Sequence, residues 1–454
     1  MTTATAPERA PVGPPTYAEV TRAIFRTLGS PGRGYYALLT LAVLAMLLGL
    51  VGGVTLLLRY GLGLAGYAHP VYWGVFIVTF VFWVGIAHSG TLISAILYLF
   101  RSAWRTAVYR AAEAMTVFAV MTAGLFPLIH VGRQWFAYWL IPYPNQRGLW
   151  PNFKSPLVWD LFAIGTYLTV STCFLILGLI PDVAAARDQA TGWRKTLYRL
   201  TALGWRGTNE QWRHYTRAYL YLAALATPLV LSVHSVVSWD FAVSIVPGWH
   251  GTIFAPYFVA GAIYSGVAMV ITLLVPIRSA FKLERLITVD HFENLSKLLL
   301  LTGMIVGYAY ATEYFLAWYS GNPYERAAFW NRAFGEYWWA SWTMILCNGV
   351  LPLLLWFRPM RRNILGLFVI SIFVNIGMWF ERFVIIVVSL SHEYDPFAWG
   401  HYTPSWADWA VLTGSFGWFF MWFLLFVKNF PAVSITELKE VLPVPNRPKE
   451  AVQS

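Results

Sequence analysis

VYWGVFIVTFVFWVGIAHSGTLISAILYL, residues 71–99, contains no Lys, Arg, Asp or Glu. A helix needs about 20 apolar residues to cross a bilayer, and this run is longer. One histidine, His88, stands near its middle. The stretch reads as a tilted membrane-spanning helix with one titratable group deep inside. Nine further runs read the same way, at 36–58, 107–131, 157–181, 216–238, 252–277, 295–318, 339–357, 364–391 and 407–428. The expected fold is therefore an all-α integral membrane protein with ten transmembrane helices.

Composition agrees. Of the 454 residues, 58% are hydrophobic and 12% charged. Soluble chains carry about 25% charged residues. Tryptophan, with 24 copies, suits the two water interfaces of a bilayer. The net charge of +11 is accounted for by cytoplasmic loops, which collect Lys and Arg, so no nucleic-acid partner is expected. The polar first 35 residues are not followed by a short apolar run with a small-residue cleavage site, and no cleaved signal peptide is expected. Cys173 and Cys347 fall in separate apolar segments, with no CxxC spacing to hold zinc or an iron–sulfur cluster.

The basic residues set the topology. The N-terminal segment, 100–106, 182–215, 278–294, 358–363 and the C-terminal tail together hold 22 Lys and Arg. The alternate loops hold 6: Arg59, Arg133, Arg147, Lys154, Arg326 and Arg332. Both termini are therefore expected in the cytoplasm.

The chain also repeats itself. GIAHSGTLI (85–93) leads to FRSAWR (100–105), and GAIYSGVAM (261–269) leads to IRSAFK (277–282). VVSWDFAVSIVPGWH (236–250) and VVSLSHEYDPFAWGH (387–401) match again four helices on. Each repeat spans four helices, which predicts two four-helix bundles, helices two to five and six to nine, flanked by helices one and ten. The expected divisions are 1–35, a cytoplasmic segment; 36–70, the first flanking helix and its loop; 71–251 and 252–406, the bundles; 407–430, the last flanking helix; and 431–454, a cytoplasmic tail.

Ionisable groups inside a membrane are costly and are candidates for function. His130 and Arg133 lie at the outer end of helix three, Asp160 at the start of helix four, and His234 and Asp240 towards the end of helix five. Glu313, Glu381 and Arg382 occupy the outer halves of helices seven and nine. His88 and Glu113 lie deeper, and with His234, Glu313 and Glu381 they are candidates for a proton path. Plainer accounts stand beside these: an interhelical hydrogen bond for His88 or for His130 with Asp160, and an i,i+3 partnership with Arg110 for Glu113. A histidine and a carboxylate at the edge of an apolar cavity suit a quinol head group, whose oxidation releases protons to a base. Haem b would need paired histidines across a bundle. His88 and His234 are the best pair, but they are predicted at different depths. A secondary transporter or ion channel with two four-helix repeats is the other class. The repeats are parallel, whereas inverted repeats would favour a transporter.

IAHSGTLISAILYLFR, RAAEAMTVFAVMTAGLFPLIHVGR and SPLVWDLFAIGTYLTVS resemble the NrfD-like, polysulfide-reductase-type membrane subunits, and among them the larger, quinol-binding membrane subunit of bacterial alternative complex III. The resemblance runs from about residue 35 to 430 and is most specific over 85–182. It implies menaquinol or ubiquinol as substrate near the outer surface, in the first bundle. It implies no haem or iron–sulfur cluster bound by this chain itself. The implied partners are an outer iron–sulfur subunit, multihaem and monohaem cytochromes c, a paralogous NrfD-like membrane subunit, and membrane lipids. By the resemblance His130 and Asp160 are the head-group and proton-acceptor pair, and Asp240 and Arg382 complete the site. The outer loops 132–156, 239–251 and 392–406, rich in Trp and Tyr, are expected to dock the iron–sulfur subunit, with Trp150 and Trp249 as contacts.

Overall fold

The structure, a computed structural model, describes residues 14–443. Arg9, Arg447 and Lys449, counted in the charge bias, lie outside the described residues. Among the described residues ten helices are long and apolar enough to cross a membrane: Arg33–Tyr60, Val75–Leu99, Tyr109–His130, Pro156–Gln189, Asn209–Ala242, Phe254–Ala280, Val289–Tyr319, Trp338–Trp356, Ile364–Ser391 and Trp406–Asn429. They are called the first to tenth spans. No strand forms among the described residues.

Two spans run well past their apolar stretches. The fourth passes through Pro181 and ends at Gln189, although the proline there reads as a stop. The expected loop 182–215 therefore begins later, and Asp182 is a buried helical residue. The fifth span starts early because Thr208 and Gln211 form a capping box on a polar first turn.

Spans two to five close a ring of neighbours, and spans six to nine close another. The rings meet where the second span packs on the sixth, with further contacts from the fifth and ninth. The first span packs on the tenth, and the tenth leans on the second and third. The seam between bundles depends on small residues. A Cβ on Gly266 would come 2.6 Å from the Ile86 carbonyl oxygen. Within the first bundle, one on Gly90 would come 2.9 Å from the Ala112 carbonyl carbon of the third span. Only glycine allows backbones this close.

The first and last described helices meet at one end of the bundles, here called the terminal face. The amphipathic helix Tyr17–Thr27 buries Val20 and Ile24 and packs against the short helix Ile435–Glu440. At the opposite face the tryptophans divide. Trp135, Trp139 and Trp150 are exposed. Trp249 is not a docking residue but part of the core. Its indole N–H donates to the Ile385 carbonyl at 2.6 Å, and its ring stacks on Trp73. The hydrophobicity that made it a candidate contact instead ties the loop after the fifth span to the ninth.

Candidate functional site

The opposite face holds two groups of polar atoms. Asp160 lies one turn after Pro156, which opens the fourth span. Asp240 lies in the last turn of the fifth. Neighbouring antiparallel helices bring a first turn beside a last turn, and the two carboxyls lie close enough for one, when protonated, to donate to the other. Trp159 and Trp239 cross edge to face beside them, with ring centroids 6.1 Å apart. One oxygen on each carboxyl is buried without a hydrogen-bond partner.

The second group forms around His130, the last residue of the third span. Gly132, at φ +77°, turns the chain away at once; a Cβ there would come 2.8 Å from Leu62. The His130 ring meets Tyr67 edge to face at 5.8 Å, and Tyr67 stacks on Tyr402 at 5.9 Å. His130 Nδ1, the Tyr67 hydroxyl and both amide atoms of Gln134 are buried without partners. Arg133 is exposed. His130 makes no hydrogen bond or ion pair with Asp160 or Asp240. Buried polar atoms left open in this way are paired once a ligand brings its own donors and acceptors. Carboxyl and imidazole together can hold hydroxyl groups and accept their protons.

His88 and His234 are not at different depths. Their rings lie 4.4 Å apart, and His88 also stacks on Tyr167 at 5.1 Å. Counting residues from helix ends assumes that the ends are level, and the 34-residue fifth span is not level with the second. His88 Nδ1 donates to the Val84 carbonyl at 2.7 Å, while both nitrogens of His234 are unpartnered. Rings packed against each other leave no room for a porphyrin between them. Among the described residues no three His, Cys, Asp or Glu side chains group as metal ligands.

Arg382 is not beside the carboxyl pair. It lies in the seam, ion-paired with Glu381 and 4.8 Å over the Phe258 ring. A Cβ on Gly85 or on its repeat counterpart Gly261 would come within 3.8 or 3.3 Å of its guanidinium. Its charge is felt at both His88 and His234. Glu381 accepts from the Tyr310 hydroxyl, which accepts from Asn348 at 3.0 Å. Asn348 sits in a π-helical turn, Ile345–Val350, a wide turn of the kind found at functional positions. Glu313 is half-buried and faces the Arg332 charge.

Glu113 anchors the first bundle towards the terminal face. Arg110 lies 3.7 Å from it and 3.1 Å from Asp182, and Tyr219 donates to it at 3.3 Å. Beyond it Thr91, Ser94, Thr116 and Ser171 line a cavity with room for about one water. Thr91 and Tyr167 share a hydrogen bond of 2.8 Å, which leads on to His88. Sequence reasoning missed Tyr67, Tyr167, Tyr310, Asn348 and Asp182. Buried tyrosines and amides resemble interface residues in a sequence. Asp182 alone carried a signal, as an acid beside a proline in an apolar run.

The sequence profile of the polysulphide reductase, NrfD family matches residues 63–391. A provisionally named membrane subunit of a dimethyl sulfoxide reductase from Halobacterium salinarum is 29% identical over 375 residues, covering 79% of this chain and 78% of that one. A selenate reductase subunit of Mesobacillus selenatarsenatis is 24% identical over 431 residues, covering 89% and 94%.

Proposed function

Since this chain belongs to the polysulphide reductase (NrfD) family, we propose that it is the subunit that oxidises quinol for a multi-subunit membrane oxidoreductase. Membrane subunits of this family interact with quinones. The observation that carries the reading is the contact between Asp160 and Asp240, with open buried oxygens at the opposite face. Quinol oxidation yields quinone, two protons and two electrons. Asp160 takes a proton from one hydroxyl and shares it with Asp240. His130 binds the other quinol hydroxyl and accepts the second proton through its open Nδ1. The electrons leave for a partner iron–sulfur subunit docked on the opposite face.

On this reading the opposite face is the outer face of a bacterial inner membrane and both termini are cytoplasmic, as the basic residues favour. His88, His234, Glu113, Glu313 and Glu381 are candidates for a proton path that couples the reaction to translocation. The finer reading is the quinol-binding membrane subunit of alternative complex III, with multihaem and monohaem cytochromes c and a paralogous membrane subunit. The strings in 85–182 support it. The names of the two relatives favour a terminal reductase instead, and both assemblies share the quinol half-reaction. Purification in mild detergent followed by mass spectrometry tests both levels. Bound quinone is expected, and its absence sinks the quinol reading. Co-purified cytochromes c support alternative complex III, whereas a molybdenum-cofactor subunit in their place overturns it.

A further inference from the structure

The first bundle is closed at the terminal face by a segment from neither bundle. After the tenth span ends, residues 431–435 are buried, and the helix Ile435–Glu440 lies against the fourth span and the 103–107 turn. Glu437 is buried and pairs with Arg105 at 2.5 Å. Thr436 donates to Asp182 through its backbone N–H at 3.0 Å and its hydroxyl at 2.9 Å. The Tyr109 hydroxyl accepts from Arg110 at 2.9 Å and reaches Glu437. The tail is thus tied at two points to the network that ends at Glu113.

Arg105 and Arg110 precede Glu113 along the chain, on its terminal-face side. Arg105 leaves Nη1 and Arg110 leaves Nε and Nη1 without hydrogen-bond partners. Buried cations hold such a place only while opposite charges face them. Burial pushes the Glu437 carboxyl up from its ordinary range, and Arg105 draws it back. Without Glu437, Arg105 keeps the faces of Tyr98 and Tyr109, 4.7 and 4.9 Å from its guanidinium, and the charges of Glu440 and Glu113, but no carboxylate in ion-pair contact.

We propose that the segment from Phe430 to Leu442 is a lid on the first bundle, latched by Glu437 on Arg105, which keeps terminal-face water out of the Glu113 cavity. The purpose of the lid rests on the reading of Glu113 and His88 as a proton path; its presence does not.

Ser94 lines that cavity and is fully buried. In the assembled complex, with Cys173→Ser and Cys347→Ser, Ser94→Cys is exposed to a small, permanently charged methanethiosulfonate. Slow modification is expected with the native tail. Glu437→Gln should react about tenfold faster or more, the sign of a local opening, and Glu437→Asp should stay near the native rate. A chain stopped after Asn429 should react fastest. Equal rates with and without the tail, whether both fast or both slow, overturn the lid. If Glu437→Gln does not assemble, Thr436→Val removes one tie without removing charge. It should react severalfold faster, and an unchanged rate counts against the lid. Quinol oxidation is followed in the same preparations. Its absence beside a protected Ser94→Cys rejects the quinol reading and leaves the lid standing. Normal oxidation beside equal labelling rejects the lid alone.

Discussion

Asp160 and Asp240 reach each other across two neighbouring spans, and the tryptophan before each, Trp159 and Trp239, crosses its counterpart edge to face. Two Trp-Asp pairs, one opening a helix and one ending the next, thereby build one site. Asp160→Asn keeps the size and the hydrogen bond but removes the base. Quinol oxidation should fall by roughly 10²-fold or more, the usual scale for a positioned acid or base. Assembly and quinone content should stay normal. Turnover near the parental rate in steady-state assays would reject Asp160 as the base.

The seam glycines should differ sharply from a glycine facing open space. Gly266→Ala drives a methyl into the Ile86 carbonyl, and overpacking of this kind costs about 1–3 kcal/mol. Gly307 has nothing within 4 Å of its added carbon. Gly307→Ala should be neutral or stabilising by up to about 1 kcal/mol through helix propensity. Thermal inactivation in detergent should rank them Gly266→Ala, parent, Gly307→Ala. The reverse order would mean that the bundles do not meet there.

Sidedness can be read with single cysteines in a Cys173→Ser, Cys347→Ser background. Arg147→Cys and Arg199→Cys lie on exposed segments at opposite faces. In intact cells an impermeant maleimide should label the first and spare the second. Equal labelling would overturn the orientation drawn from the basic residues.

Trp150 and Trp249 should part company. Trp150 is 53% exposed and free to meet a partner, while Trp249 is 3% exposed inside the core. Trp150→Ala should release the iron–sulfur subunit during purification and leave the chain stable. Trp249→Ala should destabilise the chain itself by about 3–5 kcal/mol. An intact complex from Trp150→Ala would remove the 132–156 loop from the docking surface.

The spans were legible because a bilayer leaves helices few alternatives, so long apolar runs and basic loops report them directly. The repeat was legible because small residues are needed wherever helices touch closely, as at Gly85 and Gly261. Relative depth was not legible. His88 and His234 touch because of tilt and unequal helix ends, which no single run of residues records. Trp249 could not be told from an interfacial tryptophan, since both are large and apolar with one N–H donor. Asp182 was hidden by Pro181, which a long packed helix tolerates. Arg382 was recognisable as special, but its place in the seam depends on the absence of side chains at Gly85 and Gly261.

A seam packed at the level of backbone has little slack. One bundle cannot turn against the other without driving a Cα of the sixth span into a carbonyl of the second. The ten helices thus form a stiff frame, and whatever docks over Asp160 and Asp240 stays at a fixed separation from them. Electron tunnelling weakens steeply with distance, so that rigidity would hold the donor–acceptor gap steady from one turnover to the next.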